Sequence, residues 1–298
     1  MVWSQISYRQ EEAKGVLYLV PTPIGNLEDI TFRALATLKK VDYIACEDTR
    51  QTRKLLNHFQ IEKRLLSYHE HNQRQKGPLI VRDLRAGKKI AYVTDAGMPA
   101  ISDPGEQLAQ QALEEQISVI ALPGANAALT ALVGSGLSST PYLFYGFLDR
   151  HKKKKRRMLK ALRYIPYTLL FHEAPHRLQE TLKEMLDVFG DREGALVREL
   201  SKTYEEYIRG KLSELVDWCT REEVKGEICL VVSGYDDAQM YGLIKEKELA
   251  PPWWKTLTLQ EHVDHYVHKG FAVKEAIKQT ASDRKLPKRE VYQAYHLE

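Results

Sequence analysis

The stretch KKIAYVTDAGMPAISDPG, residues 88–105, joins an apolar run to a tightly constrained loop. Its first part, KIAYV (89–93), has the unbroken apolar character of a strand buried on both faces of a parallel sheet. The twelve residues that follow, 94–105, carry two glycines, two prolines and two aspartates. Gly97 and Gly105 permit positive φ or close backbone approach, while Pro99 and Pro104 fix φ and reduce the entropy lost on ordering. Such a loop at the carboxyl end of a buried strand is where an open α/β sheet binds its ligands.

Outward from this point the chain alternates. VLYLV (16–20), DYIAC (42–46), LLSY (65–68), KIAYV and SVIAL (118–122) each precede a helix-like segment. These segments cover Asp29–Lys40, TRQTRKLLNHF, a stretch ending near Arg85, EQLAQQALEEQ and ANAALTALVGSG. Strands interleaved with helices predict a largely parallel sheet covered on both faces. After Gly136 the pattern changes. YLFYGFL (142–148), YTLLFHE (167–173), GALVREL (194–200), TYEEYIRG (203–210) and EICLVVSG (227–234) are strand candidates, and the third and fourth follow each other without a helix. That predicts an antiparallel pair in a second, mixed sheet. From Asp236 the strand signal ends. DDAQMYGLIKEKELAPPWWK reads as a linker, and three short helices follow, with a helix-turn-helix-like spacing.

The expected organisation is an N-terminal extension (1–14), a parallel-sheet α/β domain (15–138), a mixed-sheet α/β domain (139–236), and a linker with a small helical domain (237–298). The length of 298 residues suits this division. With 43% hydrophobic and 28% charged residues the composition is that of a soluble globular protein. No run of 18 apolar residues occurs, and MVWSQISYRQEEAKG lacks an apolar core, so neither a membrane span nor a secretory signal is expected. The three cysteines (Cys46, Cys219, Cys229) are far apart and odd in number. They fit the reducing cytoplasm and neither a disulfide framework nor a cysteine zinc site. His69 and His71 in SYHEHNQ are a weak pair, read as surface or RNA-contacting residues, and no metal site is expected.

The net charge of +4 is modest, but its distribution is uneven. RHKKKKRRMLKALR (150–163) holds nine Lys or Arg and no acid, and an uncompensated run of this kind predicts a polyanionic partner. From Lys269 onward there are seven Lys or Arg against four Asp or Glu, which points the same way.

Two further strands end like the fourth, in VPTPIGNLED and in LPGANAALTAL, so three Gly/Pro loops converge on one sheet edge. A ligand there can be held by main-chain groups. Neither G-x-G-x-x-G after the first strand nor G-x-x-x-x-G-K-[ST] occurs, which argues against dinucleotides and nucleoside triphosphates.

The motifs LYLVPTPIGNLEDIT, ACEDTRQTRKLL, TDAGMPAISDPG, LPGANAALTAL, FYGFL, FHEAPHR, VRELSKTYEE and KGEICLVV stand in an order that resembles the tetrapyrrole methylase superfamily. Within it the chain is similar to the branch that methylates small-subunit ribosomal RNA. The resemblance covers about 15–235, and the C-terminal helices resemble that branch's appended domain. Thr94 stands where serine is common, and His172 and Ala174 replace a tyrosine and a serine before PHR, which leaves the tyrosine's contact open. The resemblance implies two α/β domains with S-adenosyl-L-methionine in the cleft between them and a cytoplasmic homodimer. The implied reaction is 2′-O-methylation of a cytidine ribose in small-subunit (16S) ribosomal RNA, free or within the small ribosomal subunit.

For that cofactor the expected contacts are Pro23, Asp95, Gly97, Met98, Ser102, Asp103, Gly124, Ala125, Thr130 and Pro175. A ribose 2′-OH is a poor nucleophile, so catalysis rests on positioning and on help with proton removal. The candidates are Glu47, Asp48 and Arg50 in ACEDTR, Glu173 in FHEAPHR, and Lys202 with Glu199 in RELSK, each of which also suits a structural ion pair. Two other functions fit the residues less well: a small-molecule methyltransferase acting on a tetrapyrrole, and a non-catalytic RNA-binding assembly protein with a vestigial cleft. A macrocycle needs no cationic run, and intact Gly/Pro loops suit a working cleft.

Overall fold

The computed structural model describes residues 2–6, 14–236 and 252–296. Much of the expected N-terminal extension and most of the expected linker lie outside these residues. Spatial proximity divides the chain into two compact units, Met1–Tyr235 and Asp236–Glu298.

The first unit contains two five-stranded sheets. Strands β1 (Val16–Leu19), β2 (Tyr43–Cys46), β3 (Leu65–Ser67), β4 (Lys89–Val93) and β5 (Ser118–Ala121) form the first, in the order β3-β2-β4-β1-β5. All its pairings are parallel, as the unbroken apolar runs predict. The two-residue period of a strand sends alternate side chains to opposite faces. Val16 and Val20 meet Ala34 and Leu38 of α1 (Phe32–Lys40) and Leu56 of α2 (Thr49–His58) on one side. Leu17 and Leu19 meet Ile80 and Leu84 of α3 (Gln73–Arg85) and Leu108 of α4 (Gly105–Glu114) on the other. Helix α1 begins at Phe32, later than expected. Asn26 caps a short 3-10 turn at Leu27–Asp29, and Thr31 then opens the helix by accepting the Ala34 N–H at 3.0 Å.

The second sheet is mixed. Strands β6 (Tyr142–Phe147), β7 (Thr168–Glu173), β8 (Glu193–Arg198), β9 (Glu206–Lys211) and β10 (Ile228–Val232) take the order β6-β7-β10-β8-β9. Only β6 and β7 run parallel, and β8 and β9 form the expected antiparallel pair. One face packs on α6 (Lys152–Leu162), α7 (Pro175–Phe189) and α8 (Leu212–Arg221) through Leu159, Leu182, Met185 and Leu215. The opposite face receives Ala128, Ala131 and Leu132 of α5 (Ala127–Ser135), the helix that follows the last strand of the first sheet. That helix ties the two sheets together, so the loop leading into it looks onto both.

The second unit holds the three predicted short helices, α9 (Leu259–His268), α10 (Val273–Arg284) and α11 (Lys288–His296), around Val263, Ala276, Ile277, Ala281 and Val291. Arg284 locks the start of this unit: its Nη2 donates to the carbonyls of Trp254 and Thr258, and its Nε to His262 Nδ1.

Candidate active site

The loops after β1, β4 and β5 meet as one structure. Thr22 and Gly97 exchange both backbone hydrogen bonds at 3.0 Å, and Thr22 Oγ1 donates to the Thr94 carbonyl at 3.2 Å. Gly97 has φ +79°, and a Cβ there would meet Ile24 at 3.2 Å and the Ala125 carbonyl at 3.4 Å. A side chain at 97 would therefore be strained and would push apart all three loops. Ala100 and Ser102 hold φ of +66° and +64° without being glycine. Across the cleft, Glu199 (+52°) and Ser201 (+66°) do the same in the β8–β9 turn. Such costly backbone persists where the surroundings over-determine it, typically at ligand sites.

These loops and the edge of the second sheet enclose a cleft with three connected chambers that share Ile24 and Ala96. The central chamber, about 450 Å³, falls within the usual range of small-molecule sites. Glu47, Thr94, Ser102, Asp103, Glu173 and Pro175 line it. An inner chamber runs past Gly97, Met98, Asn126, Tyr142 and Phe144, and an outer one past Pro23, Gln51, Lys54 and Asp95. Of the residues expected to hold a cofactor, Pro23, Asp95, Gly97, Met98, Ser102, Asp103 and Pro175 are thus brought together. Gly124, Ala125 and Thr130 are not among the residues that line these chambers. Gly124 packs on Pro21, Ala125 packs into the core beneath α5, and the Thr130 hydroxyl turns back to the Asn126 carbonyl at 2.8 Å.

Asp103 has one engaged and one open oxygen. Its Oδ1 accepts the Gly105 N–H at 2.7 Å and the Tyr92 hydroxyl at 3.1 Å. Its Oδ2 is buried and finds no hydrogen-bond partner among the described residues. A buried acceptor left open in this way is expensive unless a ligand donates to it.

The carboxylates expected to act in catalysis separate by environment. Glu47 Oε2 accepts the Thr94 hydroxyl at 2.5 Å and the Asp95 N–H at 3.4 Å, while Oε1 has no hydrogen-bond partner among the described residues. Asp48 caps α2 and is gripped by Arg50, whose Nη2 donates to Oδ2 at 2.8 Å and whose Nε donates to Oδ1 at 3.1 Å. Those hydrogen bonds hold the Asp48 carboxyl down at about 2. Asp95 Oδ1 accepts the Asp48 N–H at 3.2 Å, and burial, with the nearby Asp48 charge, pushes its carboxyl above the usual range.

Glu173 is 3% exposed and fully occupied. Its Oε2 accepts the Thr181 hydroxyl at 2.7 Å, and its Oε1 takes the Ala174 N–H at 2.8 Å and the Arg177 guanidinium at 3.3 Å. Lys202 bridges Glu199 at 2.9 Å and Glu227 at 3.4 Å.

Sequence reasoning did not name Ile24, Ala96, Phe147 or Glu227 as site residues, yet all line the cleft. Ile24 and Ala96 lay within the quoted loops, and Phe147 and Glu227 lay within the quoted motifs FYGFL and KGEICLVV, to which no site role was given. His172 lines two chambers, with its Nδ1 3.2 Å from the Cys229 thiol and its ring between Phe144 and Phe147. Burial lowers its pKa and pushes the Cys229 thiol up to about 12, helped by the Glu227 charge. The thiol therefore keeps its proton, and a neutral imidazole faces the cleft.

The cationic run is corrected by the structure: it is not uncompensated. Acids from α7 and Asp149 pair with Lys152 (Glu184, 3.7 Å), Lys154 (Asp149, 3.6 Å), Lys155 (Glu180, 3.3 Å) and Arg156 (Asp187, 2.5 Å). Lys155 is only 2% exposed and also reaches Thr181 Oγ1 at 3.4 Å. Lys153, Arg157 and Lys160 remain on the solvent side. Among the described residues no cluster of His, Cys, Asp and Glu suited to a metal is present, and no helix is long and apolar enough to cross a membrane.

Residues 16–216 match the model of the tetrapyrrole (corrin/porphyrin) methylases. The chain is 53% identical over 297 residues to the ribosomal RNA small subunit methyltransferase I of Bacillus subtilis, covering 100% of this chain and 99% of that one. It is 40% identical to the protein of the same name from Synechocystis, over 94% of this chain and 96% of that one. Among solved structures it resembles uroporphyrin-III C-methyltransferase from Thermus thermophilus complexed with S-adenosyl homocysteine. The TM-score is 0.54 at 22% identity, covering 74% of this chain and 97% of that one. It also resembles a diphthine synthase, with a TM-score of 0.59 at 15% identity, covering 74% and 90% of the two chains.

Proposed function

Because the chain belongs to the tetrapyrrole methylase family and, within it, to the ribosomal RNA small subunit methyltransferase I group, we propose that it methylates small-subunit ribosomal RNA at the ribose 2′-oxygen of a cytidine. S-adenosylmethionine is the methyl donor in this reading. The observation that carries it is the full-length similarity to relatives bearing that name, which extends through the C-terminal helices as well as the cleft.

The residues of the cleft fit the cofactor. Asp103 Oδ2 is an open acceptor for its hydroxyl or amino groups, Gly97 lets the three loops close on one another beside the cleft, and Met98 and Pro175 supply apolar walls. When bound, the cofactor supplies an electrophilic methyl group on a sulfonium.

The chain's own task is to orient the ribose hydroxyl and take its proton. Glu47 suits that role best. Thr94 and the Asp95 N–H anchor one oxygen, and the other stays open on the central chamber. Asp48 is committed to Arg50, which holds it ionised, so it serves to fix the start of α2. Glu173 has no open oxygen and acts as a structural pin for α7. Lys202, between two carboxylates, positions the β8–β9 turn against the β1 loop and stands within reach of a phosphate. A cytoplasmic homodimer belongs to the same reading, and sedimentation of the purified chain tests the dimer.

The deciding experiment transfers labelled methyl from S-adenosylmethionine to small ribosomal subunits and, in parallel, to a porphyrinoid. Label in the RNA, recovered on a ribose after nucleoside digestion, is expected. Label in the porphyrinoid alone would overturn the reading.

A further inference from the structure

The outer chamber of the cleft does not end at Asp95. It shares Gly25 and Leu27 with a further depression lined by His58, Ser201, Lys202 and Thr203, so a continuous groove leads from the reaction chamber to the surface. Its floor is the β1 loop, and its walls are helix α2 and the β8–β9 turn. The groove is built rather than incidental. A Cβ at Gly25 would fall 2.4 Å from Lys202 Cγ and 2.9 Å from the Leu200 carbonyl, so only glycine lets the two loops approach this closely. Asn26 N–H donates to Ser201 Oγ at 3.1 Å, and the Ser201 hydroxyl in turn donates to Asp29, which fixes the floor to the wall.

Helix α2 gives this groove its charge. Residues 49–58 hold Arg50, Arg53, Lys54 and no Asp or Glu, and Thr52 and Leu56 are the side buried in the core. Arg50, Lys54 and His58 follow at intervals of four, so they form one stripe with steps of about 6 Å along the axis. Lys54 lines the outer chamber and His58 the depression beyond it. Arg50 is paired with Asp48, yet its side chain is 87% exposed, and Lys54 forms no ion pair among the described residues. The contrast with α6 is plain, since that helix has four cations already neutralised by acids. Three carboxylates also line the groove. Glu227 is paired with Lys202, Asp95 lies at the reaction end, and Glu28 stands at the outer end.

We propose that this groove is the track along which the substrate RNA strand approaches the cleft, with the Arg50–Lys54–His58 stripe contacting backbone phosphates and Lys202 facing them from the opposite wall. This rests on the RNA-methylation reading above and adds the path by which one nucleotide reaches the central chamber. Single-stranded RNA is held by cationic grooves that follow its backbone, and a target nucleotide must be splayed from its neighbours to enter a deep site.

The test measures binding of a protein-free small-subunit ribosomal RNA transcript by the full chain at a series of salt concentrations. S-adenosylmethionine affinity is followed by calorimetry. Lys54→Gln should weaken RNA binding several-fold and lower the slope of log affinity against log salt by about 0.7, the value for one lost contact on a single strand. Lys54→Glu should weaken it further, and His58→Gln should raise the KM for RNA, with cofactor affinity unchanged in all three. Variants that bind and methylate the transcript like the parent overturn the track alone. A parent that methylates neither this transcript nor the small ribosomal subunit overturns the track together with the reading it rests on.

Discussion

Thr94 Oγ1 donates to Glu47 Oε2 across 2.5 Å, joining the end of β4 to the end of β2 inside the cleft. The bond fixes a carboxylate at the carboxyl edge of the parallel sheet, in the lining of the central chamber, and its second oxygen has no hydrogen-bond partner among the described residues. Glu47→Gln keeps the shape and removes the base. It should lower kcat by about 10²–10⁴-fold, the usual worth of general base catalysis, with little change in S-adenosylmethionine affinity. Asp48→Asn should cost far less turnover. Equal losses in single-turnover assays would return the base assignment to the pair as a whole.

Cofactor binding should depend on the β4 loop. Gly97→Val puts a branched side chain at φ +79° and against Ile24 and the Ala125 carbonyl, so it should reduce S-adenosylmethionine affinity by at least tenfold. Asp103→Asn exchanges the open acceptor oxygen for an amide or loses the charge, and Asp95→Ala removes a carboxylate from the adjoining chamber. Each should weaken binding in a protein whose circular dichroism is unchanged. Parental affinity in all three, measured by calorimetry, would place the cofactor elsewhere.

Lys153 and Lys155 are neighbours in sequence with opposite fates. Lys155 is buried and holds Glu180 and Thr181, the latter donating to Glu173. Lys155→Ala should lower stability by about 1–3 kcal/mol, the cost of leaving buried polar groups unsatisfied. Lys153→Gln should change it by no more than about 0.5 kcal/mol. Thermal melts separate the two, and equal Tm values would mean that the buried contacts of Lys155 contribute nothing net.

These contrasts mark what could be read in the sequence. Each of the ten described strands coincided with a predicted run, eight of them wholly inside it and β8 and β9 overrunning by one residue, because apolar period and Gly/Pro punctuation are local signals. The gathering of the three loops at one edge followed from the parallel order. What stayed hidden depends on partners distant in sequence. The run at 150–163 looked uncompensated because three of its four acidic partners arrive on α7, from Glu180 to Asp187, and only Asp149 adjoins it in sequence. The full occupancy of the Glu173 carboxylate stayed hidden because neither Thr181 nor Arg177 announces that it will bind there. Nor does the sequence announce that the Thr130 hydroxyl will bond the Asn126 carbonyl.

The pH dependence of stability should carry the mark of His172. Burial lowers its pKa below the ordinary value of about 6.5, against an opposing pull from Glu227, with Cys229 and the two phenylalanine rings around it. The folded state thus binds its proton less readily than the unfolded state. Its contribution is complete above about pH 6.5 and is lost as pH falls through the folded-state value. His172→Asn should flatten the fall of Tm between neutral and mildly acidic pH. The same steepness in parent and variant would assign that fall to other groups.

The target atom is the final expectation. RNA differs from DNA at the 2′-hydroxyl, and an oxygen nucleophile of such high pKa needs an oriented base nearby. The cleft offers an anchored carboxylate with one open oxygen and no metal-type cluster among the described residues. A neutral His172 lines the same chamber, beside Phe147, which is 57% exposed. An aromatic surface of this kind can receive a splayed base while its ribose lies toward Glu47. Methylated nucleosides from treated RNA should therefore carry the label on ribose. A substrate with a single 2′-deoxy substitution at the modified nucleotide should accept no methyl while binding with near-parental affinity. Label on the base, or undiminished transfer to the 2′-deoxy substrate, would exclude the ribose oxygen as the acceptor.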